Sequence, residues 1–347
     1  MTKDKQFVSI IIPCRNEERF IGKCLDSVLS QDYPPDMMEV LIVDGESTDL
    51  TRDEISKYTV RYSFIRLLYN SKKIIPIALN IGVREAAGEV IVRMDAHTVY
   101  PPDYVSKLAG YLDECGVDNV GGVWVILPGA ETLKAKAIAV ALSSPFGVGN
   151  AYYRTGAKNP KLVDTVPFGC YRKDVFKKNG LFDEELAINE DAEFNHRLAK
   201  NGGKILLVPD VVSYYYSRDT YGKLSKMYLR YGYFRALTAK KIGGIIGVRQ
   251  LVPSIFIGSL VICFFLGLFS GIFFFVFLLD FFSYLLADII FSLRLSWKKK
   301  NILFFPALIL TFFIIHFSYG IAYLRGIFDF IILRKRGVDP GEILLTR

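Results

Sequence analysis

Two short clusters in this 347-residue chain carry side chains able to do chemistry. The first is Asp95-Ala96-His97, which follows the apolar run Val90-Ile91-Val92 at once and precedes Pro101-Pro102, a pair that blocks any regular continuation. Side chains two apart on extended backbone share a face. A carboxylate oxygen and an imidazole nitrogen placed this way can grip one divalent cation, and that cation can hold a diphosphate. A turn or a cap uses the same residue types, so the triplet needs context. The second cluster is Glu190-Asp191, opening an amphipathic helical pattern in which Ala192, Phe194, Leu198 and Ala199 are apolar. Helix N-terminal amides stabilise an ionised carboxylate there.

The elements that must position these clusters read as alternating strands and helices. Residues 7–13 form a buried strand ended by Pro13, and residues 18–30 place Phe20, Ile21, Cys24, Leu25, Val28 and Leu29 at helical spacing. Residues 39–44 are the next strand, 45–51 a loop with capping residues, 49–58 a helix, 65–69 a third strand, and 75–87 a helix feeding Val90. Such a β-α repeat predicts a parallel sheet, whose ligands bind beyond the carboxyl ends of the strands, where Asp95 stands. No Gly-x-Gly-x-x-Gly or Walker loop is present, which argues against dehydrogenase and ATPase chemistry. Further on, residues 104–112 and 133–142 read as helices, and 119–127 as a strand whose Gly121-Gly122 calls for a bulge or a close approach of backbone. Residues 143–159 lack periodicity and read either as a mobile loop over the site or as a long surface loop. Residues 204–209 read as one more strand, with 211–216 its aromatic extension.

Composition takes part of the chain out of water. It is 51% hydrophobic with mean hydropathy +0.28, too apolar for a purely soluble protein. The net charge of +8 suits nucleic acid, an anionic membrane or phosphorylated ligands. The basic aromatic segment 218–235 and Lys240-Lys241 stand directly before lipid-grade sequence, which favours an interfacial helix at an anionic leaflet over a nucleic-acid surface. The run 251–293 is too long for one span of about 20 residues and divides near 269–271 into a hairpin. Trp297-Lys298-Lys299-Lys300 then lies on the side of the N-terminal part. Residues 302–323 are long enough for a third span, but that would strand Arg334-Lys335-Arg336 outside. Either the charge bias is violated, or residues 302–333 are a re-entrant or interfacial pair of helices. Asp280, Asp288 and His316 fall in apolar surroundings and are expected to face protein or a polar path. The five cysteines have no paired spacing, which fits a reducing compartment, and the charged start Met1-Thr-Lys-Asp-Lys-Gln predicts no secretory signal and a cytosolic N-terminal part.

Four motifs, in order, carry a resemblance: Val8-Ser-Ile-Ile-Ile-Pro-Cys-Arg-Asn-Glu17, Val43-Asp-Gly-Glu-Ser-Thr-Asp49, Ala78-Leu-Asn-Ile-Gly82 and Asp95-Ala-His97. Together they resemble family 2 inverting glycosyltransferases of the GT-A fold. With the C-terminal features, the chain is most similar to the membrane-bound, succinoglycan and exopolysaccharide subgroup, over nearly its whole length. The resemblance implies that Pro13, Arg15 and Glu17 lie along the nucleotide, with Asn80 and Arg93 also on the donor side. It implies that Asp44 accepts from the base ring, and that Asp95 with His97 stands where the family's Asp-x-Asp binds metal and diphosphate. His97 departs from that pattern, and imidazole suits transition metals better than Mg²⁺, so Mn²⁺ and Mg²⁺ both stay open. Inverting transfer is an in-line displacement that needs a carboxylate to take the acceptor hydroxyl's proton. Glu190-Asp191 resembles the family's Glu-Asp motif, which implies Asp191 as general base and Glu190 as its neighbour at the acceptor. Residues 218–235 stand where relatives carry Gln-x-x-Arg-Trp. Gln and Trp are absent here, so only Arg230 and Arg235 carry over. Asp44 as a loop cap, Glu17 as a helix-dipole carboxylate, Lys72-Lys73 as a solvated pair, and Arg84 and Arg93 as salt-bridge partners remain the plainer readings.

The expectation is therefore an α/β GT-A catalytic domain over 1–215, amphipathic interfacial helices over 216–248, two to four transmembrane segments over 249–333 and a basic tail over 334–347. It would be a multi-pass protein of the plasma membrane with its catalytic domain facing the cytoplasm. The expected partners are a nucleotide-diphosphate sugar donor, a polyprenyl-linked or polysaccharide acceptor, a divalent cation (Mn²⁺ or Mg²⁺) and the bilayer, with no nucleic acid. The alternatives are a processive synthase and a non-catalytic binding protein on the same fold.

Overall fold

The computed structural model describes residues 5–244, 247–335, 337 and 338, so most of the expected basic tail, 334–347, lies outside the described residues. The chain divides into two compact units. One contains the residues up to Val125 with Gly156–Tyr215, and the other Ile126–Thr155 with Tyr216–Gly337.

In the first unit β1 (Val8–Cys14), β2 (Met38–Asp44), β3 (Ile65–Tyr69) and β4 (Val90–Arg93) are parallel and lie in the order β3-β2-β1-β4. Every residue of β1, β2 and β4 is buried, as the unbroken apolar runs require of strands covered on both faces. The cover comes from α1 (Ile21–Leu29), α2 (Thr51–Thr59) and α3 (Ile75–Glu85). α3 lies so close to β1 that a Cβ on Gly82 would sit 2.4 Å from Ile11 Cγ2, which leaves room for glycine alone. The two-residue β5 (Thr98–Val99), α4 (Tyr104–Glu114) and β6 (Asn119–Leu127) come next in the chain.

The sheet continues past β4 with strands from later in the chain. β7 is Lys161–Leu162, β8 is Cys170–Arg172 and β9 is Ile205–Tyr216, and the order runs β4-β8-β6-β9-β5 with β7 also on β9. β8 is antiparallel to β4. The strand and aromatic extension read separately in the sequence are thus one strand of 12 residues. α8 (Asp174–Asn179) and α9 (Glu190–Lys200) pack beside it through Tyr171, Phe176, Phe182 and Phe194, whose rings meet at 4.8–6.4 Å.

The second unit is helical: α5 (Leu133–Leu142), α6 (Pro145–Val148), α7 (Tyr152–Thr155), α10 (Tyr221–Ile242), α11 (Val252–Gly267), α12 (Gly271–Lys298) and α13 (Phe304–Ile327). Residues 126–155 belong here because α5 buries Ala137, Ile138, Ala141 and Leu142 against Leu224, Met227, Tyr228, Leu308, Phe312 and Ile315. The stretch from 143 is also not an open loop. Its Phe146 carbonyl accepts from His316 Nε2 at 2.8 Å, and its ring stacks on Phe291 at 4.6 Å. The expected break near 269–271 falls between α11 and α12. Among the described residues, α12 and the α13 stretch are long and apolar enough to cross a membrane.

Candidate active site

The loops of the site leave the carboxyl ends of parallel strands. Cys14 stands opposite Asp44 and Ile11 opposite Arg93, so the segments that leave β1, β2 and β4 emerge at one edge. The strand order reverses between β1 and β4, the point at which an open sheet of this kind leaves a crevice for ligands. Glu17 and His97 meet there, Oε1 to Nδ1, at 3.1 Å.

Short polar side chains sew the first two loops together. Asn16, at φ 56°, donates its backbone N–H to Ser47 Oγ at 2.9 Å and accepts from the Thr48 N–H at 2.8 Å. The Glu17 N–H donates to Thr51 Oγ1 at 2.8 Å. Asp44 is fully buried, accepts from the Ser47 N–H at 3.1 Å, and has Arg52 Nε 3.7 Å away. Arg15 lies across Gly45, where a Cβ would come within 3.3 Å of its Cδ. Pro13 closes β1 opposite Val43. Cys14 and Cys24 flank the loops, but burial first, then the nearby Asp44 and Asp95 respectively, pushes both thiols up and keeps them protonated.

The two sequence clusters meet through Arg93. Its Nε donates to Asp95 Oδ1 at 3.1 Å and its Nη1 to Glu190 Oε1 at 2.9 Å, across 97 residues of chain. Arg93 and Glu190 are both almost wholly buried. Burial alone would lower the Arg93 pKa, but Asp95, Glu190 and Asp191 outweigh it and hold the guanidinium charged. Glu190 responds the other way. Burial drives its carboxyl up to about 7, Asp191 adds to the rise, and Arg93 opposes it without prevailing because its charge is shared with Asp95. Asp191 is partly exposed on the first turn of α9. The helix starts abruptly because Asn189 takes the left-handed conformation at φ 68°, which asparagine tolerates better than most residues. Asn119 Nδ2 to Asn195 Oδ1 and Asn195 Nδ2 to Thr165 Oγ1, both 2.9 Å, pin α9 to β6 and to the segment before β8.

Asp95 is held from the backbone as well, its N–H donating to the Tyr100 hydroxyl at 2.7 Å. The His97 ring stands edge-on to Tyr215 at 5.3 Å, and Tyr215 stacks on Trp124 at 4.4 Å. With Glu17 on Nδ1, the ring would offer its other nitrogen to a cation. A carboxylate orienting a ligand histidine is the usual arrangement at metal sites. The donor set of one carboxylate and one imidazole fits a cation that takes its remaining ligands from a diphosphate.

Other expected residues have different surroundings. Asn80 is buried and gives its amide hydrogens to the Phe182 carbonyl and Glu184 Oε1, both at 2.9 Å, while its oxygen accepts from the Phe182 N–H. It anchors the segment leading to Glu190. Lys73 pairs with Glu46 at 2.6 Å and Arg84 with Glu184 at 3.8 Å. Arg230 and Arg235 belong to α10 in the helical unit, where Arg235 neighbours Tyr319 and Tyr323. The bridging geometry of Arg93 is what the sequence did not disclose, although an arginine two residues before Asp95, on the same strand face, was a signal for its contact with Asp95.

The family model for glycosyl transferase family 2 matches residues 9–180. A protein of Methanococcus voltae, dolichyl N-acetyl-alpha-D-glucosaminyl phosphate 3-beta-D-2,3-diacetamido-2,3-dideoxy-beta-D-glucuronosyltransferase, is 31% identical over 329 residues, 92% of this chain and 97% of the relative. The chain is a family 2 glycosyltransferase. This glycosyltransferase is also 34% identical, over 246 residues, to the succinoglycan biosynthesis protein ExoA of Rhizobium meliloti, a match covering 70% of the one chain and 73% of the other. Its fold is similar to that of a mannosyltransferase from Pyrobaculum calidifontis solved with GDP-Man and Mn²⁺, at TM-score 0.59 and 17% identity, over 94% of this chain and 88% of that one. As a member of the family, the enzyme uses nucleotide-sugar donors on a GT-A fold.

Proposed function

We propose that this glycosyltransferase moves a sugar, with inversion, from a nucleotide diphosphate to a saccharide carried on a polyprenyl lipid. The observation that supports this most directly is the Arg93 bridge, which joins the donor-side Asp95 to the acceptor-side Glu190. Pro13, Arg15 and Glu17 line the nucleotide. Asp44, held in place by Ser47, accepts from the base ring. Asp95 and His97 would hold a divalent cation, Mn²⁺ or Mg²⁺, which when bound neutralises the charge developing on the departing diphosphate. Asp191, partly exposed on the first turn of α9, takes the acceptor hydroxyl's proton. The oxygen attacks the anomeric carbon on the face opposite the diphosphate, and the C–O bond to the diphosphate breaks with its electron pair leaving on the nucleotide. Glu190, fixed by Arg93, keeps that face of the site in register.

The Methanococcus voltae relative, whose name specifies a dolichyl-phosphate-linked sugar and which matches nearly end to end, supports this acceptor class. The apolar hairpin α11–α12 supports a multi-pass position in the plasma membrane, with the catalytic unit on the cytoplasmic side where the basic residues lie. The test incubates membranes containing the enzyme with a panel of radiolabelled nucleotide sugars and a polyprenyl-phosphate-linked saccharide, with Mn²⁺, Mg²⁺ or chelator. Label is expected in the lipid extract, dependent on metal and lost in Asp191→Asn. Undiminished transfer by that variant would remove Asp191 as the base.

A further inference from the structure

α12 and α13 are both long and apolar, but their surroundings differ. Only 6% of the most apolar stretch of α12 is buried, against 50% of that of α13. What buries α13 is chiefly α10, which runs beside it along its length. At one end the Tyr221 hydroxyl donates to the Ala307 carbonyl at 3.3 Å, and Leu224 and Tyr228 pack on Leu308 and Phe312. In the middle the backbones nearly touch, a Cβ on Gly232 falling 2.3 Å from the Tyr319 carbonyl oxygen. At the other end a Cβ on Gly326 would meet Ala236, and the Tyr233 hydroxyl donates to Asp329 at 2.7 Å. α10 carries Lys223, Lys226, Arg230, Arg235, Lys240 and Lys241 over 22 residues, roughly 33 Å of helix. If α13 crossed a bilayer, α10 would cross with it and bring Arg230 and Arg235 to mid-depth, where cations are costly.

The ends of α13 agree with this. It begins just after Lys298-Lys299-Lys300, and beyond its last turn Asp329 accepts from Lys335 Nζ at 3.0 Å while Lys240 Nζ donates to the Lys335 carbonyl at 2.8 Å. Both ends are charged. Its exposed apolar residues Leu310, Phe313 and Ile321 repeat at helical spacing, and Phe328 just past its end continues them, so they form one stripe along a helix that is largely covered by protein on its other side. A stripe of this kind suits a helix lying on a membrane. The α11–α12 hairpin has the opposite character. From Val252 to Leu293 its only charged residues are Asp280 and Asp288, bonded to Ser259 and Ser292, and its tip exposes Leu268 and Phe269.

We propose that the α11–α12 hairpin is the part of this unit that enters the hydrocarbon of the bilayer, crossing twice, and that α13 lies with its apolar stripe on the membrane surface as the partner of α10. Lys300 and Lys335 are then on the same side. The inference rests on the membrane reading above and specifies which surface meets lipid.

The test uses the full chain in a bacterial host, in a Cys115→Ser background that removes the exposed native thiol. Lys300→Cys and Lys335→Cys are each probed with a membrane-impermeant maleimide, in intact spheroplasts and in inverted vesicles. Both are expected to label about tenfold more strongly in inverted vesicles. Labelling of Lys335→Cys from the spheroplast side, with Lys300→Cys labelled from the vesicle side, would make α13 a span and overturn the proposal. A fluorescent-protein fusion at the C-terminus of the otherwise unaltered chain repeats the assay without a substitution. It should fluoresce, and a dark fusion present in normal amount would also overturn the proposal. If the chain does not sediment with membranes at all, the membrane reading itself fails.

Discussion

Two regions of this enzyme remove polar groups from water, and they do it differently. Around Arg93 the catalytic unit buries formal charges of both signs, with a guanidinium held between Asp95 and Glu190. Among the apolar helices His316 and Asp288 are joined to their neighbours by hydrogen bonds from uncharged donors. His316 Nε2 donates to the Phe146 carbonyl, which can only accept, so its Nδ1 accepts from the Tyr284 hydroxyl at 3.0 Å, and Asp288 accepts from Ser292. The difference reflects what each region does. A transfer reaction moves charge, so charged groups are kept close and balanced, whereas packed apolar helices need only to satisfy their buried polar atoms.

The most severe test of this contrast is Asp191→Asn, expected to lower turnover about 10³-fold with no change in the thermal midpoint of unfolding. A parallel loss of stability would mean that Asp191 belongs to the scaffold. Next, Arg93→Gln strands two carboxylates and should cost about 3–5 kcal/mol of stability, part of it recovered when Glu190→Gln is added. Denaturant unfolding of the solubilised enzyme measures both, and a cost below about 1 kcal/mol would put the cluster with surface ion pairs.

The Glu190 carboxyl provides a test in pH. Its folded pKa of about 7 lies above the ordinary 4.5, so the folded state binds the proton more tightly. The associated stability is fully present below pH 4.5 and is lost as pH rises to about 7. Relative to Glu190→Gln, the wild type should therefore lose about 3 kcal/mol across that window, and parallel curves would show that the carboxyl is not perturbed. The smallest effect belongs to the helices. His316→Ala leaves the Tyr284 hydroxyl and the Phe146 carbonyl without their partner, at about 1–3 kcal/mol, with sugar transfer retained. A loss of transfer as large as that of Asp191→Asn would bring this region into the chemistry.

Much of the first half of the chain was legible because its signals are local. The alternation of apolar runs with helical spacing located β1 to β4 and α1 to α3, and Pro101-Pro102 and Gly202-Gly203 marked where regular structure stops. The acceptor half was harder to read. β8 has only three residues and owes its place to pairing with β4, and nothing around Asn80 announces that it anchors Phe182, 102 residues away.

By itself the sequence determined the order of elements, the residues available for chemistry and the break between two lipid-grade helices, because apolar periodicity and chain breakers act over a few residues. The tertiary structure decided which of those elements touch. It made Arg93 a bridge instead of a lone cation, and it set α13 against a helix too charged for lipid. Both outcomes depend on contacts between segments far apart in the chain, and a local pattern does not contain them.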